Sequence, residues 1–457
     1  MKKTDLLVVG GSAGGILSAT TARKAYGNID ITVIRNTEKV MVPCGIPYIY
    51  GTLHSTEKNV IPDAMLLDSN IHLEIDEVVS VDRKAKTATT KKGDTYEYKK
   101  LILATGSLPL VPEFIPGHDL ENVIPVLKNQ IYLDEVLEKV QEAQNVAVIG
   151  GGFIGVEFAE QLRLLGKNVT LIELADACLW QAFDSKYTSE IEAAMKENGI
   201  RLLTKTKVLK INGAKKVESL DLDSGECLDA DLVILGLGVK PNAALAKAAG
   251  LELNSKGAVI VDQYTRTSDP DIFAVGDCAE KKCFFTGKDV PVLLASTAAM
   301  EAKIAGSNAF QLRLVRANKG TISAFSTKIF GRTYAAAGIT EARANQEGFQ
   351  IMIGEFATMD RHPGSLPGTQ KVNIKLMFSK CSGIILGAQI SGGDSVGEMI
   401  NILSLAIQKG ITATELNTFQ VATHPLISAS PIAYPINAAA MNAIATNCVH
   451  LNEGLEI

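Results

Sequence analysis

Aromatic side chains are scarce in this sequence, at 5% of 457 residues with a single tryptophan, while glycine reaches 39. That balance suits an α/β protein with tight strand-to-helix turns. A basic block is also missing. The 45 lysines and arginines are outnumbered by 50 acidic residues, for a net charge of −5. Nucleic-acid binding therefore has no electrostatic footing. The opening "MKKTDLLVVGG" lacks the longer apolar core and small-residue cleavage site of a secretory signal. The longest apolar stretch, "LISASPIAYPINAAAMNAIAT", is broken by Pro431, Pro435 and several polar residues. It reads as a buried or interface segment rather than a membrane span. Seven cysteines, an odd number, suggest no disulfide framework. The expected setting is the cytoplasm, where thiols stay reduced.

What is present is a repeated pattern. "DLLVVG" reads as a strand, "GGSAGG" as a turn, "ILSATTARKAYG" as a helix, and "IDITVIR" as a second strand ending near Arg35. This is a βαβ opening in which Gly10, Gly11, Ser12, Ala13, Gly14 and Gly15 let the backbone approach a pyrophosphate at a helix N-terminus. Ser12 occupies the middle glycine position of G-x-G-x-x-G. The pattern returns in "NVAVIGGGFIGVEFAEQLRLLGKNVTLIEL", with Gly150, Gly152 and Gly155 in full spacing. Glu173 follows Gly150 by 23 positions, where a carboxylate can accept hydrogen bonds from a ribose diol. A 2′-phosphate would be repelled there, and no arginine follows in "LADACLW", which favours NADH over NADPH.

Two such folds imply two nucleotides. "KKLILATGSLPLVP" adds a strand ending in Thr105-Gly106, and "TRTSDPDIFAVGDCAE" a short strand ending in Gly276-Asp277. In combination these segments resemble the pyridine nucleotide-disulfide oxidoreductases, flavoproteins with FAD in the first fold and NAD(P)H in the second. The resemblance implies an α/β fold with two Rossmann-like domains and a C-terminal α+β dimerisation domain. It implies an FAD domain at 1–118 resumed at 247–322, an NADH domain at 119–246, and a dimerisation domain at 323–457. By the same resemblance Asp277 binds the FAD ribityl chain. "LLASTAAMEAKIAG" supplies a helix N-terminus near the flavin, with Ala295 and Thr297. Val79, Ala104, Thr105, Gly106 and Pro43 also fall in the FAD set; Phe153, Ile154, Glu157 and Gly238 join the NADH set. The acid that usually ends the second strand is replaced by Arg35, so Asn36 or backbone groups are alternatives for the adenosine ribose.

The stretch "MVPCGIPYIYG" carries Cys44. Disulfide reductases proper have a C-x4-C pair here, but Gly45 to Tyr50 holds no partner. The stretch resembles the single-cysteine branch: coenzyme A-disulfide reductases, NADH oxidases and peroxidases, and per/polysulfide reductases. Cys44 is then the redox residue. A helix opening at Gly45 would favour its thiolate, which can attack a disulfide or polysulfide sulfur. Cys178, Cys227, Cys283, Cys381 and Cys448 read as inert, and the Cys278/Cys283 spacing as coincidence. Ala13 stands where peroxidases and water-forming oxidases usually have a histidine, which tilts the reading towards sulfur substrates. "VMVPC" departs from the usual coenzyme A-disulfide reductase run, and Ser365, Leu366 and His424 take the places of its tyrosines. Arg23 and Lys24 suit either a coenzyme A phosphate or a solvated helix face. His424, in a His-Pro element like that which reaches a partner subunit's cysteine, is the acid–base candidate; His362 is a weaker one. The sequence thus points to an FAD-dependent, NADH-driven homodimer reducing a sulfur–sulfur bond. Oxygen reduction or electron transfer to a protein carrier are the alternatives.

Overall fold

The computed structural model describes residues 1–315 and 318–452, with side chains to 446. Cys448 lies outside the residues whose side chains are described. The chain forms two compact units: residues 1–150, 161–169 and 208–321, and residues 151–160, 170–207 and 322 onward.

The first unit is built on a largely parallel sheet. The strand β1 (Lys2–Val9) leads into helix α1 (Ala13–Tyr26) and returns as β2 (Ile31–Arg35). Both strands are apolar and buried along most of their length, as expected where helices cover both faces. Next come β3 (His72–Ile75), β4 (Val78–Asp82), β5 (Thr87–Thr90) and β6 (Thr95–Leu103). The order is β3-β2-β1-β6-β5-β4. On its N-terminal half β6 pairs antiparallel with β5. Its C-terminal half pairs in parallel with a later strand, Ile272–Ala274. Register aligns Val9 with Ile34 and Leu103, and Leu103 with Ala274. The stretches that begin at Gly10, Arg35, Ala104 and Val275 therefore emerge at the same end of the sheet. That is the carboxyl end, where open α/β sheets bind ligands.

The second glycine pattern folds as β7 (Asn145–Ile149), α2 (Phe153–Leu164) and β8 (Asn168–Ile172). The returning strand β9 (Ile272–Ala274) and helix α3 (Ala295–Asn308) complete the first unit's nucleotide fold. Gly306 of α3 lies so close to α1 that an added Cβ would stand 2.5 Å from the Ser18 carbonyl oxygen.

In the second unit, five strands form an antiparallel sheet: β10 (Phe325–Ile329), β11 (Arg332–Gly338), β12 (Ile351–Met359), β13 (Lys371–Ser379) and β14 (Ile385–Gly392), in the order β10-β11-β14-β13-β12. Helix α4 (Val396–Lys409) packs on β11 and β14, and α5 (Pro435–Asn452) on β12 and β13. The apolar C-terminal stretch thus becomes a short 3₁₀ turn, Pro431–Ala433, followed by α5. Among the described residues no helix is long and apolar enough to cross a membrane.

Candidate functional site

Both glycine turns are dictated by close backbone approach. Gly10 has φ +115°, and a Cβ there would stand 2.1 Å from the Ala104 carbonyl oxygen; one on Gly15 would stand 1.8 Å from the Gly10 oxygen. Only glycine fits. Ser12 is the N-cap of α1, yet its side chain makes no capping bond, and the first turn holds no acid. The positive end of the helix is left to an anion. In the second turn Gly150 has φ +108° and faces the Gly236 carbonyl, at 2.6 Å from an added Cβ. Gly152 has open space around it, and Ile154 and Gly155 continue the first turn of α2.

Glu173 follows β8 and bends back to this turn, accepting from Gly151 N at 2.5 Å and from Ala175 N at 2.7 Å. The carboxylate is thereby fixed beside the glycine backbone, with lone pairs to spare. On α2, Phe153 stacks on Phe325 of β10, centroids 5.0 Å apart. Glu157 accepts from the Thr327 hydroxyl at 2.8 Å. Burial, reinforced by Glu160, pushes the Glu157 carboxyl up to about 7 against the Thr327 bond.

Arg35 ends β2 but does not face outward. Its side chain is 2% exposed and bonds both oxygens of Asp63, at 2.5 and 2.8 Å. Nε donates to the Thr37 carbonyl at 2.8 Å. Asn36 beside it is exposed. Val79 sits at a β-bulge between Val78 and Ser80, half exposed. Thr105 Oγ1 donates to the Asn242 carbonyl at 2.6 Å, and Gly106 and Gly238 both have positive φ.

Asp277 lies in the 3₁₀ turn Gly276–Cys278. Its Oδ2 accepts from Ser107 Oγ at 2.7 Å, with Lys128 Nζ at 3.4 Å. A buried ion pair holds this turn from behind. Lys281 Nζ reaches Glu301 Oε1 at 3.1 Å and donates to the Gly276 carbonyl at 2.7 Å; Glu301 Oε2 accepts from Gly276 N at 2.8 Å. Neither residue is conspicuous in the sequence, since Lys281 lies in the charged run "GDCAEKKC" and Glu301 shares its helix with Lys303. Ala295 is exposed at the start of α3, and Thr297 is buried in its first turn.

Cys44 is an exposed thiol. The expected helix at Gly45 is corrected. Cys44 lies within a single 3₁₀ turn, Pro43–Gly45, and π-helical residues Ile49–Leu53 follow. Only glycine fits at 45 beside Asn59: a Cβ there would stand 2.0 Å from Asn59 Oδ1. Asn59 also donates to the Val42 carbonyl at 3.0 Å and accepts from Val42 N at 2.8 Å through its own carbonyl. The cysteine turn is thus clamped by a buried amide 15 residues on. Behind it, Gly51 abuts the backbone of Gln161 in α2, whose Oε1 accepts from Thr52 at 2.7 Å. Cys178, Cys278 and Cys283 are buried, whereas Cys227 and Cys381 are exposed. The Arg23 guanidinium braces the carbonyls of Gly27, Ile29, Ser69 and Asn70.

His424 is exposed in the second unit. Its Nδ1 accepts from Leu426 N at 3.3 Å, so the neutral imidazole carries its proton on Nε2. His362 Nδ1 faces the Ser428 carbonyl at 3.0 Å, so both histidines are tied to the 424–428 turn. Ser365 and Leu366 lie in the same loop as His362, between β12 and β13. A cleft nearby is lined by Val372, Met399, Ile402, Leu405, Ile427 and Tyr434.

Two glycine turns of the nucleotide-binding kind and an exposed thiol in one chain are the marks of a flavin- and pyridine-nucleotide-dependent redox protein. Residues 4–305 match the pyridine nucleotide-disulphide oxidoreductase model, and residues 325–432 match that family's dimerisation domain. The chain belongs to this family of oxidoreductases, which use FAD and a pyridine nucleotide. It is 31% identical to an NADH oxidase of Methanocaldococcus jannaschii, over 96% of this chain and 98% of the relative. It is 32% identical to an NAD(P)H coenzyme A polysulfide/persulfide reductase of Pyrococcus horikoshii, over 86% and 88%. Among solved structures it resembles an NAD-dependent persulfide reductase from A. fulgidus, with TM-score 0.89, 31% identity, and coverage of 98% and 84%.

Proposed function

We propose that the protein is an NADH-driven flavoenzyme that reduces a sulfur–sulfur bond through Cys44. The observation that carries this reading is the exposed Cys44 in a turn clamped by the buried Asn59. FAD fits the first fold: a glycine turn closed to side chains, an uncapped helix end, and the Asp277 carboxylate. Gly10 to Gly15 would hold its pyrophosphate, Asp277 its ribityl chain, and the start of α3 its ring system. Gly150 to Gly155, Glu157, Glu173 and Gly238 would hold NADH. The domain division follows: an FAD domain at 1–118 and 247–322, an NADH domain at 119–246, and a dimerisation domain from 323.

A bound flavin supplies the two-electron relay between nicotinamide and thiol. The Cys44 thiolate attacks one substrate sulfur, forms a mixed disulfide and releases the other sulfur as a thiolate. His424 of a partner subunit donates the proton from Nε2 to that leaving group. The substrate class is coenzyme A disulfide, persulfide or polysulfide. The apolar cleft along α4 and the exposed Ile427 and Ile432 support a homodimer built on this face. A cytoplasmic setting completes the reading.

The test is Cys44→Ser. The variant should retain flavin and consume NADH, while turnover of disulfides or polysulfides falls to background, because serine forms no mixed disulfide. Undiminished turnover of sulfur substrates would sink the reading. Oxygen reduction is the second reading, favoured by the similarity to an NADH oxidase along nearly the whole chain. With Ala13 in the first turn its product would be peroxide. Anaerobic titration with NADH followed by each oxidant separates the two.

A further inference from the structure

The two βαβ units of one chain can be compared position by position. In the second, the residue ending the strand is Glu173, whose carboxylate stands against the second glycine of the turn, 2.9 Å from a Cβ on Gly151. In the first, the same place against Gly11 is taken by the stem of Arg35, with Cδ 2.5 Å from an added Cβ. A carboxylate is absent at that point. Yet the guanidinium is not offered to a ligand. Four of its contacts are internal: both Asp63 oxygens and the carbonyls of Thr37 and Glu38. The arginine is buried while the Asp63 side chain remains 33% exposed. A carboxylate gripped by a guanidinium fork keeps further lone pairs for other donors. An arginine at a strand end held so completely acts as an arm, and what it holds at its far end is an acid.

We propose that Asp63 supplies the carboxylate that reads the adenosine ribose of FAD, carried to the end of β2 by Arg35. The inference rests on the reading of the first fold as the FAD site. Arg35 is then a positioning residue and Asp63 a binding residue. The usual acid, one side chain long, is replaced by a two-residue relay whose net charge is zero. Asp63 therefore accepts hydroxyl donors without adding negative charge beside the cofactor's pyrophosphate.

The experiment measures binding, not turnover. Full-length apoprotein is titrated, by flavin fluorescence, with FAD and with an FAD analogue lacking the 2′- and 3′-hydroxyls of the adenosine ribose. The wild type should bind FAD about ten- to a hundredfold more tightly than the analogue, the ratio expected for hydrogen bonds to a charged acceptor. Asp63→Ala leaves Arg35 buried without its partner and can fail to fold. The double variant Arg35→Met/Asp63→Ala removes both charges, and circular dichroism of its apoprotein checks that it folds. It should bind FAD and the analogue alike. A wild type that does not discriminate, or a double variant that keeps the full ratio, overturns the assignment to Asp63. A wild type that binds no FAD at all overturns the reading on which the proposal stands.

Discussion

Replacing Glu301 by alanine tests how the Asp277 turn is held. Glu301 is 1% exposed and Lys281 5%. The ammonium has four neighbours: Glu301 Oε1 at 3.1 Å and the carbonyls of Gly276, Ala279 and Glu280 at 2.7, 2.9 and 3.4 Å. Burial pushes the Glu301 carboxyl up, against the pull of Lys281 and Gly276 N. The carboxyl is therefore under desolvation cost, which its contacts with Lys281 and Gly276 N oppose. Truncating Glu301 leaves a buried cation without its counter-charge, which costs about 3–5 kcal/mol. It also orphans Gly276 N, whose bond to Oε2 is 2.8 Å; an unsatisfied buried donor costs about 1–3 kcal/mol. The two effects overlap, so we expect about 4 kcal/mol in all. That is a large part of the roughly 5–15 kcal/mol by which a domain is stable. Removing both charges, as Lys281→Met/Glu301→Leu, leaves no unpaired ion and should cost about 1–2 kcal/mol, mostly from the orphaned amide.

Urea unfolding followed by circular dichroism measures both variants, and flavin retained through gel filtration reports on the turn itself. Glu301→Ala should lose flavin as well as stability, because the Gly276–Cys278 turn presents Asp277. Two results would refute the reasoning. One is a loss below about 1 kcal/mol for the single variant, which would mean that water reaches Lys281. The other is a double variant as unstable as the single, which would mean that shape rather than charge decides the site.

Three further outcomes are expected. Glu173→Ala should lower kcat/KM for NADH about tenfold or more while changing that for NADPH little, because the lost acceptor serves only an unphosphorylated ribose; equal effects on both donors would show that Glu173 only braces Gly151. Glu157, with its folded pKa raised from 4.5 to about 7, binds more protons folded than unfolded between those values. Its stabilising contribution is therefore complete below about pH 4.5 and lost as pH rises through 7, about 3 kcal/mol in total. Glu157→Gln should flatten the urea stability profile by that amount, and an unchanged profile would contradict it. His424→Ala should slow turnover of sulfur substrates more than reduction of the bound flavin by NADH, and should alter the pH–rate profile. Light scattering should show the same dimer for wild type and variant; an unaltered profile would make the histidine structural.

The parts of the fold that were legible were those fixed by local covalent geometry. Gly10 and Gly150 sit at turns that only glycine can make, and runs such as "ITVIR" are apolar on both faces, so both βαβ units were readable from spacing. Cys44 was conspicuous because of its neighbours. The conformation of its turn was not readable, since it depends on Asn59, which contacts Gly45 only after the chain has folded back. Asp63 and Arg35 are 28 residues apart, and Lys281 and Glu301 are 20 apart. Neither interval has a period or a motif. A single charged residue gives no sign of which partner it will meet, because that is decided by tertiary packing.

The residues that reasoning from sequence missed share one position in the physics. Cys44 is exposed and the Asp277 side chain keeps 18% of its surface open, so both can meet a ligand, and each lies in a single 3₁₀ turn. Each is held by a polar group beneath it: Asn59 under the cysteine turn, Glu301 with Lys281 under the aspartate turn. Asp63, whose side chain is 33% exposed, is held in the same way by the buried Arg35. Buried polar groups must find partners, and a turn's unpaired amides and carbonyls are the nearest ones available. The holder and the turn therefore satisfy each other, as Gly276 N and Glu301 do. It follows that these holders tolerate substitution less well than the exposed residues above them. Cys44→Ser changes one exposed atom and should leave the fold intact, whereas Asn59→Ala removes the buried donor to Val42 and frees the turn. Chemistry would be lost in both cases, but only the second should change the shape of the site.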